Sequence, residues 1–411
     1  MMQLHKLDSY ERLSISESTR FLLCDFAVGD PRRPLHQFAK VDWDELFQAV
    51  RHNGLLGLTY YYLTTYPSTN YPPPEFRQSI QQTYRANALR MVLMYRKINQ
   101  VITQLATFPI DYLVLKGPAL AHLIYPDSSW RPFNDLDLLV RERDWAKMHQ
   151  ILIQLDFIPE FDLPEPPPKV TPDAVLYEAK YWHKETKLLV EIHYDDLLNA
   201  GLASRDVEGF WQRAISMELD GVTIKTLSLE DQLIHLCMHA HYHGYTRLNW
   251  FSDIAFLVRD HTDKFNWSRF IETVRTEEAE IGVYYSLYFL NKLLDISVPN
   301  DVLVALQPDF FRCWWHEYYL PENKVLSLRP MHRPDFSFYF MPLLKRLIPD
   351  MLVMGRRKEK MRYLLRLLFP PKVWLQYYYK LGHQQVAIHY LLHPLKIMYH
   401  YFNEIKEKII A

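Results

Sequence analysis

The stretch Arg131–Val140, RPFNDLDLLV, places two carboxylates inside what otherwise reads as a buried strand. Side chains alternate across a strand, so Asp135 and Asp137 share one face while Leu136, Leu138 and Val140 share the other. At about 3.3 Å rise per residue the two α-carbons sit roughly 6–7 Å apart. Like charges on a half-buried face repel, and each is costly to desolvate unless something positive lies between them. A bound divalent cation meets that requirement, and so does a pair of arginines. Because the charges repel, replacing either Asp with Asn should leave the metal-free fold level in stability or slightly more stable.

Working outward from this strand, the pattern is consistent with a small sheet. Upstream, DYLVLKGPALAHLIY opens with a short apolar run, Tyr112–Leu115, and breaks at Lys116-Gly117-Pro118, where Pro118 suits the first turn of a helix. Downstream, RERDWAKMHQILIQLDF reads as a helix. Ile158–Asp173 carries six prolines and reads as an irregular loop inserted within the domain, because strand patterns resume after it. The next stretch predicts a hairpin: a strand to about Trp182, a polar turn at His183–Lys187, and a strand Leu188–Tyr194. In that second strand Glu191 and His193 share one face, so a third carboxylate joins the first two.

Both flanks read as helical. VDWDELFQAVRHNGLLGLTYYYL has helical spacing, and RQSIQQTYRANALRMVLMYRKINQVITQLATF is long, amphipathic and free of Pro and Gly. From Ser228, SLED gives a start resembling a capping box. The expected class is α+β: a small mixed sheet flanked by helical segments. The expected divisions are an N-terminal helical region 1–107, an α/β core 108–226, a helical region 227–323 packing on it, and a basic, aromatic-rich helical region 324–411.

Hydrophobic residues at 49% and charged residues at 23% are the balance of an ordinary globular chain. Three dispersed cysteines, Cys24, Cys237 and Cys313, give no disulfide framework and suit a reducing compartment. The polar start lacks a signal-peptide core, and no run approaches about 18 apolar residues, so the expectation is a cytoplasmic protein. Net charge is −1 but segregated: residues 324–411 hold 16 Lys and Arg against 5 Asp and Glu. Such a segment suits nucleic acid or an anionic membrane surface, or else forms a basic face that neutralises an acidic body.

Taken in order, LKGPALAHLIYP, RPFNDLDLLV, LLVEIHYD, LIHLCMHAHYH, RLNWFSDIAFLV and NWSRF resemble bacterial nucleotidyltransferases of the DNA polymerase β superfamily over roughly residues 40 to 290. That resemblance implies Mg²⁺, or Mn²⁺ in its place, held by Asp135, Asp137 and Glu191. It implies catalytic roles for the same three residues, with Glu191 helping to deprotonate an acceptor hydroxyl. It also implies an NTP site in which Gly117 lets the triphosphate approach the backbone, while Lys116 and Arg131 neutralise phosphate charge and His239 supports the pocket. The acceptor would be RNA, a protein or a small molecule. Many superfamily members carry Gly-Ser at the turn; here Gly117-Pro118 lacks both the hydroxyl and one N–H.

Plainer readings stand beside these. Asp135 and Asp137 could form a salt-bridged edge, Glu191 could face solvent, Lys116 could be an exposed turn residue, and Arg131 could pair with an acidic residue elsewhere. The altered turn also suits a non-catalytic or weakly catalytic nucleotide-binding protein. His235, His239 and His243 repeat at i, i+4, i+8, a spacing that could serve a zinc hydrolase, or a core face hydrogen-bonded to Asp253 or to the active site.

Overall fold

The computed structural model describes residues 15–30, 41–66, 72–160, 178–193 and 206–328, with 361, 365, 368–369, 375, 386–396 and 399. Four helices come first: α1 (Glu17–Val28), α2 (Trp43–His52), α3 (Leu56–Thr65) and α4 (Pro74–Ala106). The α/β part runs β1 (Tyr112–Leu115), α5 (Lys116–Leu123), β2 (Asp135–Val140), α6 (Trp145–Gln154), β3 (Phe157–Pro159), β4 (Glu178–His183) and β5 (Leu189–His193). Then follow α7 (Val207–Arg213), the hairpin β6 (Ile215–Leu219) and β7 (Val222–Thr226), and the helices α8 (Leu229–Tyr242), α9 (Leu248–His261), α10 (Trp267–Thr276), α11 (Glu280–Leu294), α12 (Asn300–Leu306), α13 (Phe310–Tyr319) and α14 (Glu322–Leu326).

The chain is α+β, with a five-stranded mixed sheet in the order β1-β2-β5-β4-β3. Strand β2 is antiparallel to β1 and parallel to β5. The period of two then sorts the side chains. Val114, Leu136, Leu138, Val140, Val190 and Ile192 bury into one apolar cluster with the second half of α4 and with α6. On the opposite face Leu113, Leu115 and Leu139 join a second cluster, shared by α1–α3 and α8–α12. Asp135, Asp137, Glu191 and His193 alternate with the first set, so they lie on the face toward these helices.

One sequence expectation needs correction, and two gain detail. Ile158 and Pro159 belong to a strand, β3, although the proline-rich stretch reads as irregular from Ile158 on. This is an edge strand, where the N–H that Pro159 lacks is missed least. The stretch from Val41 is two helices, because the chain turns at Asn53-Gly54, with Gly54 at φ +69°. Asn53 then accepts from Leu248 N at 2.9 Å through Oδ1, and from Asn249 N at 3.2 Å through its carbonyl, capping the start of α9. Ser228 does cap α8, accepting from Asp231 N at 3.2 Å, but the Asp231 carboxylate accepts from the Arg213 guanidinium as well as from Ser228 Oγ. Residues 161–173, and Arg356, Arg357 and Lys358 of the basic segment, lie outside the described residues.

Candidate active site

The site begins at the β1–α5 turn. Lys116 adopts φ +36°, a left-handed conformation that L side chains rarely take, and Gly117 has non-helical torsions before regular helix starts at Pro118. A Cβ on Gly117 would lie 3.0 Å from the carbonyl oxygen of Asp135. The turn is therefore pressed against the backbone of β2, which supplies a packing reason for glycine there. Lys116 Nζ lies 3.0 Å from Asp137 Oδ1.

Register brings the second carboxylate to the first. Asp137 stands opposite Glu191 across the parallel β2–β5 pair, and Leu139 stands opposite His193. His193 Nε2 donates to Asp137 Oδ1 at 2.9 Å, so the lysine and the imidazole converge on one oxygen. Lys180 Nζ, from β4, approaches Glu191 Oε1 to 3.6 Å. Among the described residues, Asp137, Glu191 and His193 form the one group whose ligand atoms all come within 4.8 Å of one another, and it could hold a metal ion.

The two aspartates are not equivalent. Asp137 is 1% exposed. Burial works to raise its carboxyl, but the Lys116 ammonium and the His193 hydrogen bond outweigh it and hold the group below the ordinary carboxylate range. Asp135 goes the other way: burial, then the neighbouring Asp137 charge, push its carboxyl up, and Lys116 and Arg131 offset only part of that. For Lys116, burial is outweighed by Asp137, Asp135 and Glu191, so the ammonium is stabilised.

Arg131 makes a bidentate pair with Asp253 of α9, Nε to Oδ1 and Nη2 to Oδ2, each at 2.8 Å. Tyr125 also donates to Asp253 Oδ1 at 2.8 Å. One edge of the guanidinium is thus committed to an acidic partner, while Nη1 points back toward the Gly117 carbonyl at 3.5 Å. His239 lies within the field of Lys116 and Arg131. Burial first, then those cations and the neighbouring His243 and His235, hold its pKa well below the usual imidazole value and keep it neutral near pH 7.

Lys116, Gly117, Asp135, Asp137 and Glu191 therefore share one sheet face, with Arg131 and His239 beside it. Sequence reading gave no role to His193, although its alternation with Glu191 was legible, and it missed Lys180. Trp182 is a further side chain on this face, half exposed and paired in register with Leu189. His235, His239 and His243 stack along α8 with ring centroids 6.5 and 4.5 Å apart. They are not among the three-ligand groups found in the described residues. Carboxylate oxygens suit a hard divalent cation, and an imidazole nearby admits Mn²⁺ as well as Mg²⁺.

A five-stranded mixed sheet with flanking helices is consistent with an α+β nucleotidyltransferase fold. The chain belongs to the uncharacterised nucleotidyltransferase family, which matches it over residues 39–295. Among solved structures, an antigenic nucleotidyltransferase-like protein from Paracoccidioides brasiliensis is similar at 15% identity, covering 51% of this chain and 96% of that one, with a TM-score of 0.33. That likeness is too distant to bear on function. No curated protein matches the chain.

Proposed function

We propose that this protein transfers a nucleoside monophosphate from an NTP to an acceptor hydroxyl or phosphate, with release of pyrophosphate. The observation that supports this best is the Asp137–Glu191 pair in register on one sheet face, with Asp135 beside it on β2 and Lys116 bonded to Asp137. Asp135, Asp137 and Glu191 would hold the divalent cation, Mg²⁺ or Mn²⁺. When bound, that cation supplies charge neutralisation for the triphosphate and the leaving pyrophosphate. Glu191 accepts the proton of the acceptor hydroxyl. His193 orients the Asp137 carboxylate through its hydrogen bond, as outer-sphere partners of carboxylate ligands do. Lys116 and Arg131 Nη1 meet phosphate oxygens, while the Asp253 pair fixes the guanidinium plane. Neutral His239 adds a hydrogen-bonding group without further positive charge.

The acceptor is RNA, a protein or a small molecule, and the basic carboxy-terminal segment supplies contact with an anionic partner. A second reading, a nucleotide-binding protein with little or no transfer, is favoured by the commitment of Arg131 to Asp253 and by the missing N–H at Pro118. The test is pyrophosphate release from a panel of labelled NTPs with Mg²⁺ or Mn²⁺ and pooled RNA, protein or small-molecule acceptors, comparing wild type with Glu191→Gln. Release that the variant loses supports transfer. Nucleotide binding without release from any pool supports the second reading.

A further inference from the structure

The helix over residues 386–396 is built the wrong way out for a globular protein. Its outward face carries Ile388, Leu391 and Leu395, which are 62%, 75% and 61% exposed, with Leu392 beside them and Tyr399 on the same side a turn further on. The spacing i, i+3, i+4, i+7, i+11 makes one continuous apolar stripe. The inward face holds Val386 and a polar residue, His393, which is 4% exposed. Among the described residues, nothing covers the apolar side of this helix, whose leucines face water while a histidine is buried. Met361, Leu365 and Phe369, spaced four residues apart, are exposed as well.

Composition says what covers this face. From Lys360 to Asn403 the chain has six Lys and Arg, no Asp or Glu, one Trp and seven Tyr. A second copy of the chain seated on the same stripe by a two-fold axis would set two uniformly positive segments against each other. An anionic lipid surface complements that charge. It also accepts the leucines at the acyl boundary and the Tyr399 ring at the headgroup level. No helix among the described residues is long and apolar enough to cross a membrane, so the contact would lie in the plane of the surface.

We infer that the 386–396 helix docks this protein on an anionic membrane surface through Ile388, Leu391, Leu392 and Leu395. The docking does not depend on the proposed transfer chemistry. The test is co-sedimentation of the full chain with phosphatidylcholine vesicles containing about one third phosphatidylglycerol, at about 50 mM and about 500 mM salt. Its controls are pure phosphatidylcholine vesicles and the variant Leu391→Asp/Leu395→Asp. Both substituted positions are exposed, so the fold should survive, which circular dichroism and the melting temperature check. The expected result is binding to the anionic vesicles that weakens with salt and falls about a hundredfold in the variant. The inference is overturned if the wild type stays in the supernatant at low salt or if the folded variant binds as well as wild type. It is overturned also if the chain binds RNA but not vesicles through this stripe. A dimer that the variant dissociates, with no vesicle binding, assigns the face to a second copy instead.

Discussion

Neutralising either aspartate of β2 removes one negative charge from the same face, yet the structure assigns the two changes opposite effects on stability. Asp137 is buried and accepts from Lys116 at 3.0 Å and His193 at 2.9 Å. A hydrogen bond to a charged group contributes about 1.5–3 kcal/mol, and removing one partner of a buried ion pair costs about 3–5 kcal/mol. Lys116 keeps Asp135 and Glu191 as neighbours, so Asp137→Asn should fall at the lower end, about 2–3 kcal/mol. That corresponds to a fall in Tm of roughly 4–12 °C for a large cooperative unit. Asp135→Asn relieves a carboxylate that burial and Asp137 disfavour, so its Tm should stay level or rise.

The pH dependence separates them further. Asp137 has a depressed folded pKa, so its contribution is fully present above the ordinary carboxylate pKa of about 3.9 and is lost as pH falls through the folded value. Asp135 has a raised folded pKa, so its penalty is present above that value, diminishes as pH falls through it and is gone below the ordinary carboxylate pKa of about 3.9. The gain from Asp135→Asn should therefore shrink steadily as pH falls toward about 3.9, while the loss from Asp137→Asn persists over that range. Thermal melts in chelator between pH 4.5 and 8 read both. Equal losses in the two variants, or an Asp137→Asn protein as stable as wild type at pH 7, would refute the assignment of Lys116 and His193 as the groups that hold Asp137 ionised.

Further outcomes follow from the same geometry. Glu191→Gln should lower kcat by about a hundredfold or more with KM for NTP little changed, since loss of a general base acts on the chemical step; equal losses in both would make Glu191 a nucleotide-positioning residue. Asp253→Asn breaks the fork that fixes Arg131, so chemical denaturation should register a loss of about 2–4 kcal/mol and steady-state kinetics a raised KM for NTP; lost stability with unchanged KM would make the pair purely structural. Gly117→Ala drives a Cβ to 3.0 Å from the Asp135 carbonyl oxygen and should cost about 1–3 kcal/mol in denaturant titration. An alanine that spares stability but weakens NTP binding would instead assign Gly117 to phosphate approach alone.

Much of the site was legible because its signals are local. A period-two alternation set Asp135 against Leu136, and Glu191 against Val190 and Ile192. The Lys-Gly-Pro break ended β1 at Leu115, where the structure ends it. The strand β3 was not legible, because the prolines around it outweigh three residues of pattern and only pairing with β4 makes it a strand. The Lys116 and His193 contacts argue against the stability expectation for Asp137 for a related reason: sequence displays the repulsion between neighbours two residues apart, but not the counter-charges that folding adds.

The sequence by itself determined β1, β2, β4 and β5, the helices beside them, the Lys116-Gly117 break and the faces on which the carboxylates lie, since each depends on residues within a few positions of one another. Tertiary structure alone decided that β5 lies parallel to β2 with Asp137 opposite Glu191, that Lys116 and His193 meet on one oxygen, and that Arg131 is tied to Asp253, 122 residues away. Register and charge pairing arise from packing between distant segments; Lys116 and His193 overcome burial at Asp137 and keep it an anion, whereas burial and the Asp137 charge prevail at Asp135.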